Sequence, residues 1–177
     1  NPALAHRYAN ARFAEVWSKL AVWTLTEYQR VAFLDADMLV VQNMDEVFEL
    51  PLAKGTLAAC HACRCNPNHI ATYPDSWQPD NCYYSWVEDA QMNAAPPAPV
   101  DNYLNGGFLV LTPDRDVYDA MMAKLAAKED IAEWVFAEQD FLNEVFHDRW
   151  LPLHYGYNAL KTLPKQHPQM WDLSRVK

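Results

Sequence analysis

Val31-Ala32-Phe33-Leu34-Asp35-Ala36-Asp37-Met38-Leu39-Val40-Val41 is the stretch on which the fold turns. Two apolar runs enclose a pair of carboxylates. Apolar runs of this length with β-branched residues suit a strand buried on both faces, as in a parallel α/β sheet. Carboxylates at i and i+2 of an extended chain point to one side. Left unpaired inside a strand, each would carry a large desolvation cost. That cost disappears at a strand end where both share a divalent cation, which takes oxygen ligands and keeps positions open for phosphate oxygens. Ligands of such sheets bind beyond the carboxyl ends of the strands. The competing reading of Asp35-Ala36-Asp37 is a charged turn between two strands. The tight apolar enclosure favours the metal.

Outward from this stretch, the text alternates. Phe13, Val16, Trp17, Leu20, Trp23 and Leu25 recur near a helical period, which predicts a helix from Arg12 to Tyr28. Asn43-Met44-Asp45-Glu46-Val47-Phe48 predicts a short helical turn capped by Asn43, and Thr56 to Ala59 a strand. From Cys60 to Val100, six prolines interrupt an irregular segment that carries Tyr73, Trp77, Tyr83, Tyr84 and Trp86. Long irregular segments inside compact domains are functional or disordered, and the aromatics argue against disorder. They either pack the segment onto the core or form platforms for sugar rings. Phe108 to Leu111 reads as a second buried strand, Thr112-Pro113-Asp114 as the start of a helix, and Glu138 to His147 as a further helix. Trp150 to Leu153 and Tyr157-Asn158 read as strand and loop. Strands alternating with helices mean α/β.

The 177 residues fit one domain, and a chain 51% hydrophobic and 21% charged is globular rather than disordered, fibrous or coiled-coil. A net charge of −9 excludes a general basic field for nucleic acid or anionic membrane. A polyanionic ligand must then be met by local donors or a metal ion. No run is long and apolar enough to span a membrane. Cys63 and Cys65 are too close to bridge comfortably, and a chain of this size does not need disulfides, so a reducing, cytoplasmic setting is expected. Cys60-x-x-Cys63 with Cys65 and His69 has zinc-like spacing, but no second pair follows, which favours thiols packed in a loop.

Three further groups carry candidate chemistry. Two of only 4 glycines stand together in Asn105-Gly106-Gly107, either for close approach of backbone to a ligand or for a tight turn. Glu138-Gln139-Asp140 opens an amphipathic helix, where carboxylates are favourable for electrostatic reasons alone or accept sugar hydroxyls in a cleft. Lys19, between Trp17 and Leu20, reads by base rate as a solvated lysine. Gly-rich phosphate loops, zinc-protease helices and nucleophile elbows are absent.

In order, Val16-Trp17-Ser18-Lys19-Leu20, Phe33-Leu34-Asp35-Ala36-Asp37-Met38-Leu39-Val40, Asn43-Met44-Asp45-Glu46-Val47-Phe48, Asn105-Gly106-Gly107-Phe108 and Glu138-Gln139-Asp140-Phe141-Leu142-Asn143 resemble the glycogenin-like and galactinol-synthase-like glycosyltransferases of family 8. The resemblance implies a GT-A fold, Rossmann-like within the α/β class, over a single domain at residues 1–177. It implies a nucleotide-sugar donor, UDP-glucose or UDP-galactose, a Mn2+ cofactor and transfer with retention. Asp35 and Asp37 would bind the metal. Asp35, Ala36, Asn105, Gly106 and Gly107 would lie at the donor, and Lys19 would approach its phosphates and sugar. Glu138 and Gln139 would grip the sugar hydroxyls where the family more often has Asp-Gln. Glu138 or Asp140 as a covalent nucleophile is the weaker reading. The acceptor would be a polyol, a glycan or a protein, and a second copy of the chain is an admissible partner. A non-catalytic sugar-nucleotide or glycan-binding relative is the alternative. Two family elements are not found: the N-terminal strand that holds the uracil, and a metal-binding histidine followed by Lys-Pro-Trp. The expectation is a catalytic domain truncated at both ends.

Overall fold

The computed structural model describes residues 16–88, 96–97 and 100–177. Four strands form one mixed sheet: β1 (Val31–Leu34), β2 (Leu57–His61), β3 (Leu104–Leu111) and β4 (Trp150–Leu153), in the order β1-β3-β2-β4. Among these, the parallel pairing read from the apolar runs holds for one pair only, and β1 is half-buried along its length. β3 returns between β1 and β2 and pairs antiparallel with both, and β2 pairs parallel with β4. β3 is the long central strand, and every residue of β2 is buried. Its alternation sorts the two faces. Leu57 and Ala59 join Leu109 and Leu111 on one side, while Ala58 and Cys60 join Phe108 and Val110 on the other.

The first face is covered by α1 (Arg115–Ala127), α2 (Glu138–Val145) and a 3₁₀ helix, Val16–Thr24. A helix is present where the apolar period predicted one, but wound more tightly. The part of that expectation before Val16 lies outside the described residues. Trp17, Leu20 and Trp23 are spaced by three, and residues three apart eclipse in a 3₁₀ helix. All three join the first core: Leu20 and Trp23 are fully buried, Trp17 sits edge-on to Phe141 at 5.5 Å, and Trp23 stacks on Phe146 at 5.7 Å.

The second apolar run does not continue the strand. The Met38 amide bonds to the Asp35 carbonyl at 3.1 Å, closing a turn. Leu39 is 83% exposed, and the Val41 and Gln42 amides meet the Lys177 carbonyl. Asp35-Ala36-Asp37 therefore stands at the carboxyl end of β1 and not inside a longer strand.

Other expectations shift by a few residues. The Asn43 side chain accepts from the Asp45 amide at 3.0 Å ahead of the 3₁₀ turn Asp45–Glu49. Pro113 precedes the first turn of α1 instead of forming it, and the Asp114 side chain caps that helix through the Asp116 amide at 2.9 Å. Asn105-Gly106-Gly107 lies within β3 and not before it.

The segment after β2 is irregular, as its prolines require. Its described residues include the 3₁₀ turns Pro79–Asn81 and Tyr83–Ser85 and turn most of their aromatics inward: Tyr83 and Tyr84 are buried, and Trp77 stacks on Phe136 at 4.1 Å. Trp86 is exposed. Residues 89–95, 98 and 99 of that segment lie outside the described residues. All four cysteines are free and buried. No helix among the described residues is long and apolar enough to cross a membrane.

Candidate active site

β1 ends at Leu34, opposite Phe108, so its carboxyl end meets the middle of the antiparallel β3, whose first four residues run on past it. The Asp35 amide continues the ladder by donating to the Gly107 carbonyl at 2.8 Å. This places the first carboxylate against the paired glycines.

The 3₁₀ helix brings Lys19 to the same point. Its Nζ donates to Asp35 Oδ1 at 3.1 Å, to the Gly106 carbonyl at 3.2 Å and to Glu138 Oε1 at 2.8 Å. The Lys19 side chain is 7% exposed and that of Glu138 11%, while Asp35 keeps 40% open to solvent. The solvated-lysine reading is therefore wrong for this position. An ammonium has three donors and no acceptor, and all three are used. Burial pushes the Glu138 carboxyl above its ordinary range, and the Lys19 charge opposes that rise.

Glu138 opens α2. The preceding Ala137 has φ 48°, a left-handed conformation that costs about 1–3 kcal/mol for a residue other than glycine. That turn sets the direction in which the helix enters the site. Gln139 points its amide at the strand, with Oε1 accepting from the Gly106 amide at 3.1 Å and Nε2 donating to the Tyr103 hydroxyl at 3.3 Å. Both Asp140 oxygens are engaged, one by the Tyr103 hydroxyl and one by the Phe136 amide at 2.8 Å. Asn143 closes the seam, exchanging bonds with the Leu104 amide and carbonyl at 2.7 and 3.0 Å. Tyr103 and Asn143 hold α2 to β3; nothing in their spacing announces it.

Asn105 Oδ1 accepts from the Gly107 amide at 2.8 Å and from Asn158 Nδ2 at 2.7 Å. Asn158, buried at the end of the 3₁₀ turn Tyr155–Asn158, is a site residue that the sequence reading missed. A Cβ on Gly107 would stand 3.0 Å from Asn105 Oδ1, 3.2 Å from Asn158 Nδ2 and 3.4 Å from Asp35 Oδ2. The close approach at this glycine is thus to the site's own side chains. Asn105 is fixed by two bonds and has little room to give. Gly107→Ala is expected to lower stability by about 1–3 kcal/mol, read as a drop in urea midpoint with unchanged slope. A midpoint equal to wild type would show that the Asn105–Asn158 pair yields freely.

These groups front an open cleft of about 700 Å³, lined by Lys19, Asp35, Ala36, Asp37 and Glu138 together with Val22 and Phe33. Asp37 is exposed at its mouth. One ammonium faces the carboxylates of Asp35 and Glu138, with Asp37 adding a third, so the cleft is net negative. A diphosphate would be repelled here without a cation. Asp35 commits one oxygen to Lys19, and no side chain among the described residues donates to the other. Half-exposed and exposed carboxylate oxygens are the hard donors that Mn2+ and similar cations take. The residues present fit such an ion.

The family model for glycosyl transferase family 8 matches residues 4–172. Galactinol synthase 7 of Arabidopsis thaliana is 33% identical over 173 residues, 96% of this chain and 49% of that protein. Galactinol synthase 2 of Solanum lycopersicum is 32% identical, with 97% and 48% covered. The chain thus spans about half the length of these curated relatives. Among solved structures, the bifunctional glycosyltransferase WbbM matches with a TM-score of 0.54 at 21% identity, over 85% of this chain and 25% of that one. The glycosyltransferase GlyE of Streptococcus pneumoniae matches with a TM-score of 0.53 at 16% identity, over 88% and 32%. Identities this low speak for the fold alone, and that fold is the GT-A-like one expected from the sequence.

Proposed function

This chain belongs to glycosyl transferase family 8, and from that premise we propose that it moves a hexose from a UDP-linked donor to an acceptor hydroxyl, with retention and dependent on Mn2+. The observation that carries the reading is the buried Lys19, held by Asp35, Glu138 and the Gly106 carbonyl at the cleft. A lysine with its charge buried between two carboxylates is costly to keep. Placed where a diphosphate leaves, it is useful, because a water-poor setting strengthens its field.

Asp35 and Asp37 would hold the metal ion, which when bound supplies positive charge to the departing diphosphate. Lys19 adds a second positive charge from the protein side. Glu138 and Asp35 keep that ammonium oriented and offer carboxylate oxygens to the donor sugar. Gln139 acts chiefly on the Gly106 amide, and so fixes the strand against which the sugar lies. Asp140, with both oxygens taken by Tyr103 and Phe136, positions α2. The galactinol synthases among its relatives favour galactose as the sugar and a small polyol as the acceptor.

The direct test is a panel of UDP-hexoses with the full-length protein, with and without Mn2+, scored for UDP release and for product. Release from one UDP-hexose, raised by Mn2+ and accelerated by a polyol, is the expected result. Neither turnover nor binding with any donor would overturn the reading, and binding without turnover would favour a non-catalytic relative.

A further inference from the structure

Away from the cleft, three sulfurs meet one imidazole. Cys63, Cys65 and Cys82 come from the irregular segment after β2, and His167 from the residue that ends α3 (Leu163–Gln166). Their ligand atoms all lie within 4.8 Å of one another, and this is the one His/Cys/Asp/Glu group of its kind among the described residues. His167 Nε2 is 3.4 Å from Cys63 Sγ, 3.3 Å from Cys65 Sγ and 3.5 Å from Cys82 Sγ. Cys63 and Cys82 stand 3.9 Å apart, sulfur to sulfur, too far for a disulfide.

Hydrogen bonding does not account for this arrangement. A ring nitrogen donates or accepts along one direction, so Nε2 satisfies one sulfur and leaves two. A tetrahedral zinc ion does account for it. With Zn–S near 2.3 Å and Zn–N near 2.0 Å, a tetrahedron sets sulfurs about 3.8 Å apart and sulfur to nitrogen about 3.5 Å. The three nitrogen–sulfur separations of 3.3–3.5 Å and the Cys63–Cys82 separation of 3.9 Å are those of ligand atoms around a common centre. The four residues are 0–8% exposed, as a closed structural site requires. The Arg64 amide donates to Cys82 Sγ at 3.4 Å, an N–H···S bond of the kind that supports a zinc thiolate.

We propose that Cys63, Cys65, Cys82 and His167 form a structural Zn2+ site, separate from the carboxylate cleft and closed to substrate. Zinc spacing was visible at Cys60-x-x-Cys63, but the partners differ. Cys60 turns away and donates to the His154 carbonyl at 3.2 Å, and His69 is exposed. The binding pair is Cys63-x-Cys65, and its complement arrives from 17 and 102 residues beyond Cys65. The ion would tie the segment after β2 to the last part of the chain, inside an apolar core of Tyr83, Tyr84, Val87, Tyr155, Leu163 and Met170. Tyr155 opens the turn that ends at Asn158, so the staple backs the Asn158–Asn105 pair beside Gly107. Three soft thiolates and an imidazole select zinc and reject Mn2+, whereas the carboxylate pair has the opposite preference.

The test is metal content, which does not depend on catalysis and so fails or succeeds separately from the proposed transfer reaction. Full-length protein purified under reducing conditions, without chelator and without added zinc, is assayed by elemental mass spectrometry. About one zinc per chain is expected, retained through dialysis against Mn2+ and released in step with mercurial titration of the thiols. Protein grown on Co2+ is expected to show thiolate-to-cobalt charge-transfer absorption. Cys82→Ser should lose that band and the zinc, while Cys60→Ser and His69→Ala keep both. The wild-type measurements stand even where Cys82→Ser does not fold. Zinc no higher than the buffer blank in folded, fully reduced protein would overturn the proposal. So would a Cys63–Cys82 disulfide in the native protein, or a cobalt spectrum without thiolate character.

Discussion

Lys19→Met is expected to reduce transfer about 10²–10³-fold, through kcat more than through KM, because under the proposed function it deletes the charge that meets the leaving group. It is also expected to destabilise the protein, by about 3–5 kcal/mol, since Glu138 keeps a buried carboxylate without its cation. For a chain of this size that is a fall in Tm on the order of 10 °C. The two effects separate in a second variant. Lys19→Met with Glu138→Gln removes the orphaned charge and should recover most of the Tm, yet none of the activity. pH supplies a further readout. Burial already holds the Glu138 carboxyl above its ordinary range, and loss of Lys19 raises it further. A carboxyl with a folded value above its unfolded one gives stability that is present below the unfolded value and lost as pH rises through the folded one. The deficit of Lys19→Met relative to wild type should therefore shrink as pH is lowered from neutral toward the carboxylate range. Activity within a few fold of wild type would remove Lys19 from the reaction.

Asp37→Asn should leave the fold alone and cost nearly all turnover at ordinary Mn2+ concentration. Asp37 is exposed at the cleft mouth, and substitutions at such positions usually change stability by no more than about 0.5 kcal/mol. An amide oxygen carries no charge, so a two-carboxylate site for a divalent ion loses half its anionic ligands. Unchanged Tm, a raised Mn2+ requirement and a fall of about 10²-fold or more in kcat/KM are expected together. Equal activity at the same Mn2+ concentration would show that Asp37 holds no metal. Asp35→Asn is the less informative partner, because Asp35 also orients Lys19.

What was legible in the sequence follows from range. Short-range signals worked: the Phe33-Leu34 run ended in a strand, the Glu138 helix formed, and the near-helical apolar period through Trp17, Leu20 and Trp23 marked a helix, though not its 3₁₀ winding. Strand direction was not legible. A short apolar run is equally good text for either orientation, and only the return of β3 between β1 and β2 made the pairing antiparallel. The carboxylates at 35 and 37 could be found because both lie in one strand-end motif. Asn158 could not, because its partner is Asn105 and no local pattern links them. Lys19 shows the same limit from the other side: residue type alone sends it to solvent, and only three long-range bonds bring it inside.

The placement of β3 has a consequence for how the molecule comes to exist. Val31 pairs with Leu111, and Leu57 pairs with the same Leu111 on its other side. On the ribosome, β1 and β2 emerge long before the strand that must join them. Until β3 arrives, their edges and apolar faces have no native neighbour, the condition in which nascent chains aggregate or engage chaperones. Pairings of such high sequence separation also close slowly, since loop entropy is lost before contacts form. Refolding yield should then depend on protein concentration more than on final stability. A ribosome-stalled chain ending before Leu104 should remain protease-sensitive through Leu34.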